Sequence, residues 1–92
     1  MNRIDKIVAD SLNKLKREKN IKKSLKENDN LLEIFDSFDL VNLILNLEDD
    51  IKKNLKTKIQ LADENLFDLK KSPLISLKLW KNYVKDLYEK KK

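Results

Sequence analysis

The chain has no glycine and a single proline, Pro73, and this constrains the fold more than any other property of the sequence. Tight hairpin turns and phosphate-binding loops depend on glycine, because glycine adopts positive φ at little steric cost. A helix interior needs neither residue. With 40% hydrophobic residues in a chain of 92, we expect one small all-α domain, residues 1–92, built around a single core.

The composition also excludes several classes of function. Cysteine and histidine are both absent, which removes disulfides, zinc sites of the usual kind, thiol nucleophiles and the commonest general base. We therefore expect a protein that is not an enzyme and has neither catalytic residues nor a metal site of its own. Any reactive group would be supplied from outside.

Neither a signal peptide nor a membrane span is predicted. The N-terminal sequence MNRIDKIVAD is too charged for a signal-peptide core. The longest apolar stretch, Leu40 to Leu47, is interrupted by asparagines and is too short to cross a bilayer. We expect a cytoplasmic monomer whose basic tail, about residues 90–92, frays.

Hydrophobic periodicity predicts a small four-helix bundle with three longer helices and one short third helix. Apolar residues recur every three or four positions from residue 2 to about 18, which indicates one buried helix face. A second helix is predicted over residues 37 to about 51. The last helix is predicted to begin at Ser72-Pro73, or at Ser76, and to end near residue 89. A long connection precedes the second helix, and the short helix is expected within residues 61–67.

The predicted second helix has two apolar faces. With Ser37 at 0° on a wheel of about 100° per residue, the core face lies between about 240° and 340°. That face contains Leu40, Leu43, Ile44, Leu47 and Ile51. A fully solvated face contains Asp39, Asn42, Asn46, Asp49 and Asp50. The sector from 0° to about 100° contains Ser37, Phe38, Val41, Leu45 and Glu48. Packing on one layer needs only one apolar face, so this last sector is expected to meet partners.

Charge is distributed unevenly along the chain. Between Glu27 and Ile51 lie eight acids and no base, a local charge of −8, whereas the remainder has 21 bases and eight acids, or +13. Acids that border an exposed apolar strip favour a docking surface, because they steer basic partners toward it. Asp36 is the expected N-cap of the second helix, and Asp39 suits its first turn.

This helix resembles the attachment helix of acyl carrier and peptidyl carrier proteins. The residues that carry the resemblance are Asp36-Ser37-Phe38, Val41, Leu43-Ile44, Leu47 and Glu48-Asp49-Asp50-Ile51. That family consists of four-helix bundles that carry 4′-phosphopantetheine on the serine of an Asp-Ser-Leu or Asp-Ser-Phe motif. The resemblance implies that Ser37 is the attachment residue and that Asp36 belongs to the motif. The Phe variant is similar to stand-alone carriers such as D-alanyl carrier protein.

The resemblance also implies a function. The arm, donated by coenzyme A, would carry an acyl or aminoacyl group as a thioester in fatty acid, polyketide, peptide or cell-envelope biosynthesis. Implied partners are a phosphopantetheinyl transferase, an acyl- or aminoacyl-loading ligase or synthase, and downstream acyl-transfer enzymes. The positions implied to meet them are Phe38, Asp39, Val41, Leu45, Glu48 and Asp49. The length and the absence of a linker favour a free-standing carrier.

Two features depart from the carrier pattern. Ile34 stands where glycine is frequent, two residues before the Asp, and the net charge is +5 although carriers are commonly acidic. A small basic helical protein that binds nucleic acid, or an adaptor bundle, is therefore the alternative. We expect no nucleic-acid binding, because arginines are few, no base-reading motif is present and the acidic helix repels phosphate. The aromatic residues of the last helix are expected in the core and at its rim: Trp80, Tyr83 and Tyr88.

Overall fold

The computed structural model describes residues 3–63, 65–68 and 70–91, and every regular element in these ranges is helical. The elements are α1 (Arg3–Glu18), α2 (Leu31–Ile34), α3 (Ser37–Leu55), a 3-10 helix (Pro73–Ile75) and α4 (Leu77–Lys91). The predicted all-α class and the small helical bundle are confirmed. No described helix is long and apolar enough to cross a membrane.

The helices α3 and α4 both extend further at their C-terminal ends than predicted. α3 continues one turn beyond Ile51, to Leu55, and α4 continues beyond the predicted end near residue 89, to Lys91. Of the two predicted starts of the last helix, α4 uses the one at Ser76, and Ser72-Pro73 begins a separate 3-10 helix. The Ser72 side chain caps the 3-10 helix, and the Ser76 hydroxyl accepts a hydrogen bond from the Leu79 amide at 3.1 Å as α4 begins. Residues 2 and 92 lie outside the described residues.

The short helix predicted at residues 61–67 is absent from the described part of that range, 61–63 and 65–67. Local side-chain contacts replace it. The Asp63 carboxylate accepts a hydrogen bond from the Asn65 amide at 2.8 Å, and Asp68 accepts one from the Lys70 amide at 2.9 Å. Such contacts give the backbone an alternative to the helical ladder. The short helix of the fold is instead α2, where the Asn30 side chain accepts from the Leu32 amide at 2.9 Å.

α1 and α3 run antiparallel. At one end the Arg3 guanidinium donates to the carbonyl of Asn54 at 3.0 Å, and at the other end Lys19 Nζ lies 3.5 Å from Asp39 Oδ1. α1 also packs against α4. The C-terminal end of α1 therefore lies beside the N-terminal end of α3, where the predicted attachment residue is located.

The predicted core faces are buried. The buried hydrophobic residues form one cluster, to which α3 contributes all five predicted core positions: Leu40, Leu43, Ile44, Leu47 and Ile51. Trp80 is fully buried, while Tyr83 and Tyr88 are partly buried against the cluster, as predicted for core and rim aromatics. Ile59, in the loop after α3, is buried as well.

The chain reverses direction without glycine. Asn20 and Lys56, which follow the ends of α1 and α3, adopt left-handed backbone conformations with φ of 57°. After α1 the Ile21 amide donates to the Lys16 carbonyl at 2.8 Å and the Asn20 amide to the Arg17 carbonyl at 3.2 Å, which is a Schellman motif. Ile21 thus continues the chain as a partly buried loop residue, and no helical turn forms there.

Candidate functional site

The start of α3 presents Ser37 to solvent. Asp36 caps the helix, as predicted, because its carboxylate accepts a hydrogen bond from the Asp39 amide at 2.8 Å. Ser37 follows as the first helical residue and is exposed, and its hydroxyl makes no hydrogen bond with any described residue. The cap therefore does not depend on Ser37, which leaves its hydroxyl available for reaction.

The other serines of the chain show how unusual this arrangement is. The Ser11 hydroxyl donates to the Val8 carbonyl at 2.7 Å, and the buried Ser72 hydroxyl donates to the Leu66 carbonyl. Ser76 caps α4. Only Ser24 shares with Ser37 an exposed hydroxyl without a partner among the described residues, and Ser24 lies in a loop and not at a capped helix start.

An exposed apolar strip begins beside Ser37. We define it as Phe38, Val41 and Leu45, whose exposed fractions are 74%, 42% and 55%. The neighbouring core face of the same helix is buried. The structure therefore confirms that the second apolar face predicted from the helical wheel is separate from the core. Large exposed apolar side chains in a row are typical of a contact surface.

Asp39 does not lie on the solvated face, where the helical wheel placed it. Its exposed fraction is 8%, and its carboxylate pairs with Lys19 from the end of α1. The other positions of that face are exposed or half-buried: Asn42, Asn46, Asp49 and Asp50. The wheel failed for Asp39 because periodicity cannot predict that the end of α1 covers this position.

Glu48 connects α3 to the loop that follows it. Its carboxylate accepts hydrogen bonds from the Leu61 amide at 2.6 Å and the Ala62 amide at 3.3 Å. On the other side of this loop, the Tyr83 hydroxyl donates to the Leu61 carbonyl at 2.7 Å. Burial raises the pKa of Tyr83, with smaller contributions from Asp63 and Glu48, so the hydroxyl keeps the proton it donates. The contact between Glu48 and the loop was not predicted, since residues 48 and 61 are far apart in sequence.

Most of the eight acids between residues 27 and 51 have a hydrogen-bond or ion-pair partner within the fold. Asp49 pairs with Lys53 at 3.0 Å. Asp29 lies 3.5 Å from Lys23 Nζ and also accepts a hydrogen bond from the Lys26 amide at 2.7 Å. Together with the contacts of Asp36, Asp39 and Glu48, five of the eight acids between residues 27 and 51 have partners. Three of these five, Asp29, Asp39 and Asp49, are paired with a lysine, so the local charge of −8 overstates the acidity by these three ion pairs.

No protein-family model, characterised protein or solved structure matches the chain. Fold and site geometry alone define its class. It is a small helical bundle with an exposed, uncommitted serine at the capped start of its longest helix, followed by an exposed apolar strip.

Proposed function

We propose that this chain is an acyl carrier protein in which Ser37 accepts 4′-phosphopantetheine. The observation that carries the proposal is the exposed hydroxyl of Ser37 at a helix start that Asp36 caps independently. A modifying enzyme needs such a hydroxyl at a fixed and accessible position. The strip that begins at Phe38 supplies an apolar surface next to it, on which that enzyme can bind.

The residues present fit this attachment. Ser37 needs no activating base, because the transferase supplies the metal ion and coenzyme A. In the transfer, the Ser37 oxygen forms the new ester bond to phosphorus, the bond to the adenosine bisphosphate leaving group breaks, and the hydroxyl proton is lost. The attached arm supplies a thiol that carries an acyl or aminoacyl cargo as a thioester between enzymes of the cytoplasm.

The order of elements supports a carrier-type bundle in part. The Asp-Ser pair lies at the start of the second long helix, after a long connection, and α4 closes the bundle. The connection between α3 and α4 departs from that pattern, since the short helix expected within residues 61–67 is not there. Support from the site is therefore stronger than support from the overall architecture.

The implied docking residues fall into two groups by their contacts. Phe38, Val41 and Leu45 are exposed and can meet a partner directly, with Asp49 as an exposed charged neighbour. Asp39 and Glu48 are engaged with Lys19 and with loop amides. We therefore assign direct contact to the strip, and we assign Asp39 and Glu48 to positioning the elements around it.

Mass spectrometry of the intact protein tests the proposal. The purified chain is incubated with coenzyme A, magnesium and a broad-specificity phosphopantetheinyl transferase. We expect a single mass gain of one phosphopantetheine group, which is lost in Ser37→Ala. Ser24→Ala is the matched control, because it removes the other exposed serine hydroxyl without a described partner and should leave the gain unchanged. A folded protein that gains no mass would contradict the proposal.

One observation favours the nucleic-acid alternative, namely the density of lysines in residues 14–26. Binding through phosphate contacts would weaken steeply with salt and would persist in Ser37→Ala. The exposed strip has no role in nucleic-acid binding, so nucleic-acid binding is the weaker of the two candidate functions.

A further inference from the structure

The end of α1 and the loop after it form a basic surface, defined here as the basic segment, residues 14–26. It contains seven bases and one acid, a net charge of +6: Lys14, Lys16, Arg17, Glu18, Lys19, Lys22, Lys23 and Lys26. Two of the bases pair with acids, Lys19 with Asp39 and Lys23 with Asp29. The other five make no ion pair with any described residue.

The basic segment lies along α3 and reaches the end that bears Ser37. Lys14 and Arg17 line a hollow together with Asp50 of α3. Further along, Lys19 meets Asp39, which is two residues from Ser37. The antiparallel packing of α1 on α3 therefore places the unpaired Lys14 and Arg17 beside Asp50, and the ion-paired Lys19 near the start of α3.

The free charge around Ser37 is thus different from what the acidic sequence of α3 indicates. Asp39 and Asp49 are ion-paired with Lys19 and Lys53, whereas Glu48 keeps its charge and accepts hydrogen bonds from loop amides. Most bases of the basic segment have no such partner. We infer that the docking surface at Ser37 consists of the apolar strip and the basic segment, and that it fits an acidic face on the enzyme that modifies or loads Ser37. This inference rests on the proposed function.

The size of a docking interface supports contact with both parts. A specific interface buries roughly 800 Å² on each partner, which is a patch on the order of 30 Å across. The whole molecule measures only 31 × 27 × 23 Å. An enzyme that covers the strip and reaches Ser37 can therefore extend to the Lys19–Asp39 pair, two residues from Ser37, where the basic segment favours carboxylates and repels other bases.

A protein partner is favoured over a nucleic acid by the strip itself. Phe38 is 74% exposed, and a phosphate backbone bound to the lysines would leave this ring in water. Burial of exposed aromatic and aliphatic side chains is a property of protein interfaces. The polar and apolar parts of the surface thus point to the same partner.

The inference is tested by reversing charges in the basic segment and measuring KM with a transferase whose docking face has a known charge. A transferase that serves acidic carriers through a basic docking face should be repelled by the basic segment. The variant Lys14→Glu, Arg17→Glu, Lys22→Glu changes three exposed bases, each without an ion pair to a described residue. We expect its KM for this transferase to fall about five-fold, with kcat unchanged and a smaller effect at high salt.

The matched control makes the same change in net charge outside the basic segment. It is Lys52→Glu, Lys58→Glu, Lys90→Glu, all three exposed, and its KM should stay within about two-fold of the native value. If charge reversal disturbs folding in circular dichroism, the variant Lys14→Gln, Arg17→Gln, Lys22→Gln should still lower KM, by about half as much on a logarithmic scale.

Other outcomes would overturn the inference. An unchanged or raised KM in both basic-segment variants would show that the segment lies outside the docking surface. Binding of a duplex DNA probe at physiological salt, lost on charge reversal, would assign the segment to nucleic acid. Failure of the proposed function looks different, because the folded native chain would then gain no mass at Ser37 with any transferase, and the inference would fall with it.

Discussion

α3 and the two connections that flank it, residues 19–30 and 56–76, are ordered by different means. In α3 the buried residues recur with helical spacing, and one face supplies five core positions. The connections contain no α-helix among their described residues. They are held by buried residues without helical spacing, such as Ile59 and Leu61, and by polar contacts to carboxylates and hydroxyls, such as those of Asp29, Glu48 and Ser72. Periodic burial thus specifies the helix that bears the site, while non-periodic burial and individual hydrogen bonds specify the connections around it.

The largest expected effect compares the two apolar faces of α3. Leu47 is fully buried and Leu45 is 55% exposed, although both are leucines on the same helix. Leu47→Ala should lower the free energy of unfolding by about 2–5 kcal/mol, because it removes core contacts and leaves a cavity. Leu45→Ala should change it by no more than about 0.5 kcal/mol. Urea denaturation of both variants measures the difference.

The same pair of variants also separates stability from docking. Under the proposed function, Leu45→Ala should slow the modification of Ser37 while the fold stays intact. If Leu45→Ala were as destabilising as Leu47→Ala, the strip would be part of the core. The distinction between the two apolar faces of α3 would then be wrong.

The fold could be predicted from sequence where burial is periodic. The five core positions of α3 and the buried face of α1 follow from spacing alone, and α4 begins at one of its two proposed starts, Ser76. The prediction of a helix at residues 61–67 was wrong, because local side-chain contacts set the backbone conformation there. Leu61 and Leu66 are both buried, as core residues of a short helix would be, yet Asp63 and Asp68 turn the backbone through their own side chains.

A second prediction concerns the contact that joins α3 to its C-terminal connection. Glu48→Ala removes the acceptor of the Leu61 and Ala62 amides and should cost about 1–3 kcal/mol in unfolding free energy. Asp49→Ala is the matched control on the next residue, where the carboxylate is exposed and pairs only with Lys53 among the described residues. Its cost should stay within about 0.5 kcal/mol.

The variant Glu48→Gln distinguishes hydrogen bonding from charge at this position. Glutamine keeps a carbonyl acceptor for the loop amides but loses the negative charge. Thermal unfolding should therefore show a smaller loss for Glu48→Gln than for Glu48→Ala. Equal losses would mean that the charge of Glu48, and not its contact with the loop, stabilises the fold.

The candidate site could be predicted only in its local part. Asp36 as the cap, Ser37 as an exposed residue and the separate apolar strip all follow from residues within three helical turns of one another. The partners of Asp39 and Glu48 come from elsewhere in the chain, namely from the end of α1 and from the loop after α3. Sequence spacing contains no information on which acid meets which lysine or amide. The partners of the acids between residues 27 and 51 could therefore be identified only in the structure.

The smallest expected effect concerns Asp29 in the first connection. The hydrogen bond from the Lys26 amide, followed by the charge of Lys23, holds the pKa of Asp29 below its ordinary value of 3.8. A carboxylate with a depressed pKa in the folded state stabilises the fold above its unfolded pKa, and this contribution is lost as the pH falls through the folded pKa. Asp29→Asn should therefore lower Tm slightly at pH 6, and the difference from the native chain should begin to shrink near pH 3.8 and vanish once the pH falls below the folded pKa of Asp29.

The variant Lys23→Gln shows which contact of Asp29 is responsible. Because the Lys26 amide is the larger cause of the shift, Lys23→Gln should keep most of the pH dependence that Asp29→Asn removes. The Asp29 carbonyl also accepts a hydrogen bond from the Leu77 amide at 3.0 Å, so the loop is tied to the start of α4 by its backbone as well. If Lys23→Gln abolished the pH dependence, an ion pair would order this connection. Hydrogen bonds to backbone amides, as opposed to ion pairs, would then be the main polar contacts only in residues 56–76.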